Sequence, residues 1–421
     1  MIAIYEFLLY TLAYIGLFAA SFYIVSLFTY YRKRTELPVD TSKKVSIIIP
    51  AYNEEASVEE TIESALKIDY PKNNLEIIVV DDGSKDKTYQ LAKKYVSLKH
   101  PRVIVLTKEN GGKGTALNMG IKVATGEIIF TMDADTMVSQ DSLKKMTKFF
   151  SNKYVMAVTP AMGIRDPKTI WQKIQQIEYY MGVFLRKSFA TMNAIHITPG
   201  AFSGYRKSFF EKYGGYDEKN ITEDLEIALR IQHHDFLIEN APDAAIYTIG
   251  PRKFKELLIQ RRRWYTGLIK NLWDYRKKLF GPQKGAMGTV VLPVAVITVF
   301  LSVILTIYAF VKAIIKIKDE LFHLNSVNFQ FENVYEFNLF VLQTLFIRIF
   351  SNKIFLLSLL FFTLVWFYLA FAKKQVQFKE KFKINFIVFI FLYSLLFAFW
   401  WVVSSVYILF NRKVKWRDET K

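Results

Sequence analysis

The chain has 421 residues, room for more than one domain. Hydrophobic residues make up 52% and mean hydropathy is +0.16, too apolar for one soluble domain and too polar for a chain lying wholly in a bilayer. Lys and Arg outnumber Asp and Glu by 56 to 38, a net charge of +18, and cysteine is absent. Such basic charge points to nucleic acid, anionic lipid or phosphate-bearing substrates. The lack of cysteine excludes disulfides, thiolate catalysis and thiolate metal sites.

Residues 7–31 carry no charge, a run long enough to cross a bilayer. Glu6 precedes it, and Arg32, Lys33 and Arg34 follow it. A cleavable leader carries its positive charge first. The stretch therefore reads as an anchor with its N-terminus outside and residue 32 onward in the cytoplasm.

Residues 43–252 read as alternating strands and helices. Val45–Ile49, Leu75–Val80, Val103–Leu106 and Ile128–Met132 are short apolar runs, and Ala56–Leu66 has helical spacing. Continuous apolar strands between amphipathic helices predict a parallel sheet covered on both faces. Ligands then bind at the carboxyl ends of the strands, where the acidic motifs fall.

Residues 253–284 are basic and aromatic, which predicts helices against a membrane surface. The uncharged runs 285–311, 354–372 and 384–411 can each span. The stretch 333–352 is apolar but interrupted by Glu336, Asn338, Gln343 and Arg348. It makes the C-terminal region (285–411) one of three spans or four. The basic-loop rule leaves one violation either way, in the tail (412–421) or in the loop carrying Lys373 to Lys383. The reading leans to four. Because the positive charge lies beside spans, lipid and phosphate are favoured over nucleic acid.

Five motifs carry candidate chemistry, each with a plain structural alternative. Asp81-Asp82-Gly83-Ser84 closes a strand: its carboxylates suit a nucleobase or ribose, and Asp-Gly is also an ordinary turn. Asp133-Ala134-Asp135 follows the next strand. If strand geometry persists, both carboxylates share a face and suit Mg²⁺ or Mn²⁺ with a diphosphate; the alternative is a helix cap. Thr222-Glu223-Asp224 precedes an apolar-periodic helix and offers either a general base or a cap. Gln260-Arg261-Arg262-Arg263-Trp264 offers a phosphate clamp beside a stacking platform, or simply a basic membrane-surface helix. Asn110-Gly111-Gly112-Lys113-Gly114 lets backbone N–H groups approach phosphate, but lacks the Walker spacing. His233 and His234, adjacent on a helix, are assigned no metal.

In order and spacing these motifs, opened by Val45-Ser46-Ile47-Ile48-Ile49-Pro50-Ala51-Tyr52-Asn53-Glu54-Glu55, resemble the family 2 glycosyltransferases. The Thr-Glu-Asp and Gln-x-x-Arg-Trp elements resemble the membrane-integrated synthases of cellulose, hyaluronan and poly-N-acetylglucosamine. The resemblance covers residues 43 to about 270. It implies an α/β fold, a cytoplasmic nucleotide-sugar-binding (GT-A-like) domain inserted between transmembrane helices of the cell membrane. It implies an inverting hexosyltransferase that uses a divalent cation, Mn²⁺ or Mg²⁺, and a UDP- or GDP-sugar donor. The acceptor is a growing polysaccharide or, alternatively, a lipid-linked oligosaccharide; a silent scaffold is the remote alternative. Ala51, Tyr52, Glu54, Asp82, Lys113 and Asp133 would contact the donor, and Asp135 the metal. Asp224 would be the catalytic base. Glu223, Gln260, Arg263 and Trp264 would meet the acceptor and the diphosphate. Trp416-Arg417 faintly resembles a C-terminal element of hyaluronan-type synthases, which places the tail inside. The N-terminal span is single where many such synthases have two, and no counterpart of the cellulose synthase gating loop is found. Whether an accessory subunit takes part is left open.

Overall fold

The computed structural model describes residues 2–33, 37–97, 101–326, 338–376 and 383–410. Helix α1 (Ile2–Lys33) contains the whole of the expected anchor. Then β1 (Val45–Ala51), α2 (Val58–Leu66), β2 (Leu75–Asp81), α3 (Thr88–Lys93), β3 (Arg102–Thr107), α4 (Lys113–Val123) and β4 (Ile128–Met132) alternate as the sequence predicts. Successive strand residues point to opposite faces, and each face finds a helix. Ile47, Ile49, Ile77 and Val79 pack with Val58 and Ile62 of α2. Ile48, Ile78 and Val80 pack with Ala116 and Leu117 of α4. Burial on both sides is why these strands read as unbroken apolar runs.

The second half departs from expectation. It comprises β5 (Met137–Val138), α5 (Ser142–Thr147), β6 (Val155–Ile164), α6 (Ile170–Thr191), β7 (Phe202–Arg206), α7 (Lys207–Tyr213), α8 (Glu223–His233) and β8 (Leu237–Thr248). The sheet runs β3-β2-β1-β4-β7-β6-β8-β5. Its first four strands are parallel, but β7 is antiparallel to both β4 and β6, and β5 to β8. The sheet is therefore mixed rather than parallel. Helix α6 does not carry the chain back to the start of β6. It packs on the sheet and also on the long apolar helices, and β7 runs back along β6 with Tyr205 opposite Ala157. Since Phe202 to Tyr205 are buried on both faces, their sequence carries no mark of the reversed direction.

Helix α9 (Phe254–Leu279) is one continuous helix where several were expected. Then come α10 (Leu292–Ser326), α11 (Leu339–Phe350), α12 (Lys353–Gln375) and α13 (Lys383–Leu409). Among the described residues four helices are long and apolar enough to cross a membrane: α1, α10 with the turn before it, α12 and α13. Three of these four are C-terminal, and the leaning toward a fourth C-terminal span rests on 333–352, of which α11 is the described helix. Helix α11 has 12 residues, about 18 Å against a hydrocarbon core of about 30 Å. Residues 333–337 and the tail with Trp416 and Arg417 lie outside the described residues.

These long apolar helices dock on the α/β domain through α6 and α9. Phe184 of α6 stacks on Tyr368 of α12 with ring centres 3.9 Å apart, and the Tyr368 hydroxyl donates to the Ala20 carbonyl at 3.1 Å. Trp400 of α13 is buried against Leu257 of α9.

Candidate active site

The loops after β1 and β2 are tied together. Asn53 has φ 54°, and its backbone N–H donates to Ser84 Oγ at 2.9 Å while its side-chain oxygen accepts from Lys85 N at 2.8 Å. The Glu54 N–H donates to Thr88 Oγ1 at 2.8 Å. Ala51, Tyr52 and Glu54 therefore start a rigid rim at the carboxyl ends of the strands.

Asp82 is buried, and its carboxylate is already engaged. Oδ1 accepts from Lys108 Nζ at 2.7 Å and from Gly111 N at 3.1 Å, and Oδ2 accepts from Gly112 N at 2.8 Å. The glycine N–H groups expected to approach phosphate are thus aimed at Asp82. The consequence is a fixed start for α4, with Lys113 as its first residue.

Lys113 is the centre of the site. Its Nζ lies 2.7 Å from Asp133 Oδ1 and 3.2 Å from Glu223 Oε1. One ammonium joins the Asp-x-Asp element to the Thr-Glu-Asp element. Gly200 allows this, since a Cβ there would stand 2.6 Å from Lys113 Nζ.

Strand geometry does not persist through Asp133-Ala134-Asp135, and no helix is capped. The segment is a turn closed by Thr136 N donating to the Asp133 carbonyl at 3.0 Å. Asp133 turns to Lys113. Asp135 Oδ1 accepts from Thr248 Oγ1 at 3.3 Å. Burial pushes the Asp135 carboxyl up to about 7, with Asp133 and Glu54 adding to it and Lys113 opposing. Among the described residues no three His, Cys, Asp or Glu side chains form a ready cage. The donor set still fits a hard cation. Asp135 is a buried carboxyl with Asp133 and Glu54 adding to the negative charge around it, the kind of oxygen donor a hard cation would take together with oxygens from a bound diphosphate and water.

The capping reading of the third motif is not realised. Thr222 stands before α8 without a side-chain cap bond, and its Oγ1 accepts from Asn271 Nδ2 of α9 at 3.0 Å. Asp224 is held by the opposite loop: Gly200 N donates to Oδ2 at 3.3 Å, and Thr198 Oγ1 donates to its carbonyl at 2.7 Å. Burial, then Glu223, pushes the Asp224 carboxyl up to about 6, with Lys113 and Arg263 opposing. Arg263 of α9 therefore sits within electrostatic reach of Asp224. Gln260 Oε1 is buried without a hydrogen-bond partner, and Trp264 packs on the sheet core. Arg262 instead donates to Tyr407 Oη of α13 at 2.8 Å.

Helices α8 and α9 touch through Gly267, where a Cβ would meet Thr222 Oγ1 at 2.2 Å. Alanine normally improves a helix interior by about 1 kcal/mol over glycine. Here Gly267→Ala is expected to lower the melting temperature and transfer activity together, because it pushes Glu223 and Asp224 away from Lys113. A more stable or fully active variant would contradict this contact.

Lys108, Thr248, Gly200 and Thr198 belong to the arrangement and escaped the sequence reading. Each is a common residue whose partner is distant in the chain. Pro199-Gly200 before an apolar strand was the available signal for one of them.

The chain is similar to known proteins. Residues 46–214 match the family described as Glycosyl transferase family 2. Those residues form a family 2 glycosyltransferase domain. The match closes before α8, so Asp224 and the Gln260–Trp264 stretch lie beyond it. The poly-beta-1,6-N-acetyl-D-glucosamine synthase of Staphylococcus epidermidis is 33% identical over 236 residues, 55% of this chain and 57% of that protein. The same synthase of Staphylococcus aureus strain COL is 32% identical over 237 residues, 56% of this chain and 57% of that protein. The match thus spans just over half the length of these relatives. In fold, the chain is similar to the mannosyltransferase PcManGT of Pyrobaculum calidifontis, solved with GDP-Man and Mn²⁺. The TM-score is 0.58 at 19% identity, covering 96% of this chain and 100% of that one. The likeness in fold therefore runs past the family 2 domain into the membrane helices.

Proposed function

We propose that this protein is a membrane glycosyltransferase that moves a sugar, with inversion, from a nucleoside diphosphate sugar onto a growing glycan. The observation that carries the reading is the meeting at Lys113. Asp133 from the donor side and Glu223, next to Asp224, from the acceptor side share one ammonium. Asp224 takes the proton of the acceptor hydroxyl. That oxygen bonds to the anomeric carbon on the face opposite the departing nucleoside diphosphate, whose bond to the carbon breaks, so the configuration inverts. A base with a carboxyl raised toward neutral pH is suited to this work.

Asp135, with Asp133 and Glu54 near it, would hold a divalent cation, and that cation would neutralise charge on the leaving diphosphate. Relatives named poly-beta-1,6-N-acetyl-D-glucosamine synthase support a polysaccharide product, and the fold relative bound to GDP-Man keeps a GDP-sugar in play beside a UDP-sugar. Ala51, Tyr52, Glu54, Asp82, Lys113 and Asp133 line or brace the donor pocket. Gln260, Arg263 and Trp264 serve the diphosphate and the acceptor's terminal sugar.

Charge supports a cytoplasmic domain. The end of α12 packs with Ala161 and Ala245 of the sheet, so Lys373 and Lys374 lie on the same side as the domain and the basic helix α9. Basic segments mark the cytoplasmic side. Among the described residues three C-terminal helices are long and apolar enough to span, few for enclosing a polysaccharide channel, and this favours a second reading, a transferase adding one or a few sugars to a lipid-linked acceptor. Sizing products made from a labelled donor decides between the two. Long polymer supports the synthase, short lipid-attached product supports single addition, and no product from any UDP- or GDP-sugar counts against both.

Trp264→Ala is expected to impair transfer to acceptor by roughly 10-fold while donor hydrolysis by water stays near wild type, since a lost stacking face costs on the order of 1 kcal/mol. Equal losses in both rates would remove Trp264 from the acceptor site.

A further inference from the structure

Arg261 occupies a position of the Gln260–Trp264 stretch to which the resemblance gives no role. It is 1% exposed. Its Nη1 and Nη2 donate to Glu178 Oε1 and Oε2 of α6 at 3.0 and 2.5 Å, a bidentate pair. Its guanidinium carbon stands 4.3 Å from the centre of the Trp264 ring and 5.4 Å from that of Trp400 on α13. Its Nε is buried without a hydrogen-bond partner.

A buried ion pair is a poor source of net stability, because desolvating both charges offsets most of their attraction. What such a pair does well is fix geometry. A planar guanidinium clamped by a carboxylate is a rigid plate, and a plate against an indole face limits how that ring can turn. The plate touches one helix of the α/β domain, the motif helix and one membrane-crossing helix at the same time. The neighbouring Tyr265 repeats the join, stacking on Trp401 of α13 with centres 4.6 Å apart.

We propose that Glu178 and Arg261 are positioning residues that hold Trp264 for the acceptor sugar and register it against the membrane helix α13. The proposal rests on the acceptor role given to Trp264 above. Neither residue touches the reacting atoms. Their loss should change acceptor use and leave donor chemistry alone.

The test uses the full chain in detergent. Nucleotide release is measured with water alone and with rising concentrations of an oligosaccharide of the donor's own sugar. Glu178→Gln keeps the shape and removes the charge. Arg261→Lys keeps the charge and removes the fork. Both are expected to lower acceptor-dependent transfer by about 10-fold or more while hydrolysis is little changed, as displacements near 1 Å do. Placed in a Trp264→Ala background, either change should add almost nothing, because both act through the same ring. Parallel loss of hydrolysis, or full multiplication of the two losses, would overturn the proposal. Trp264→Ala with wild-type acceptor use would instead overturn the acceptor reading beneath it. If Glu178→Gln fails to fold, Arg261→Lys answers the same question.

Discussion

Asp224→Asn is expected to lower transfer by about 100- to 10,000-fold, the usual contribution of a positioned base, while donor affinity stays near wild type. Asparagine keeps the size of the side chain and an oxygen to accept from Gly200 N, which holds Asp224 at 3.3 Å. It cannot take a proton. The same residue sets a pH dependence. Burial pushes its carboxyl up to about 6, and the base works only when ionised. At saturating cation, where protonation of Asp135 no longer competes, wild-type kcat/KM should therefore be level above this value and fall as pH drops through about 6, and the Asn variant's residual rate should lose that limb. Lost donor binding in Asp224→Asn would reject the role.

Asp135→Ala should weaken donor binding in the presence of Mn²⁺ or Mg²⁺ by at least the roughly 10- to 100-fold seen for residues behind metal ligands. The site's charge gives a second readout. An ordinary aspartate ionises near about 4, so a folded-state value near about 7 means the folded chain holds this proton more tightly than the unfolded one. Its ionisation thus costs stability progressively as pH rises across that window. A cation that takes the proton's place relieves the cost. Mn²⁺ should raise the melting temperature more near about pH 8 than near about pH 5, where protonation competes. Asp135→Ala should abolish the difference, and an unchanged metal titration would remove Asp135 from the cation site.

Much of this was legible because short-range pattern and long-range position agreed. The four parallel strands, of which β1, β2 and β4 are buried on both faces, announced themselves as apolar runs, and the acidic motifs fell at their carboxyl ends. Legibility failed where a partner decides the outcome. Asp82 looked open to a nucleotide, but Lys108 and two glycine N–H groups, 26 to 30 residues away, already hold it. Thr222 looked like a cap and instead accepts from Asn271, 49 residues on. Helix α6 was missed altogether. Gln172, Gln175 and Gln176 break its apolar face, and each is buried by bonds to backbone that only the folded sheet supplies. The Glu178–Arg261 pair spans 83 residues and leaves no local trace.

The measurement that bears most directly on the central claim is nucleotide release from a panel of UDP- and GDP-sugars by the purified full chain, with Mn²⁺, with Mg²⁺ and with chelator, beside Asp224→Asn. The account predicts release from one donor class, dependent on the cation and nearly abolished in Asp224→Asn although the donor still binds. Release that ignores the cation, or that survives in Asp224→Asn, would contradict it.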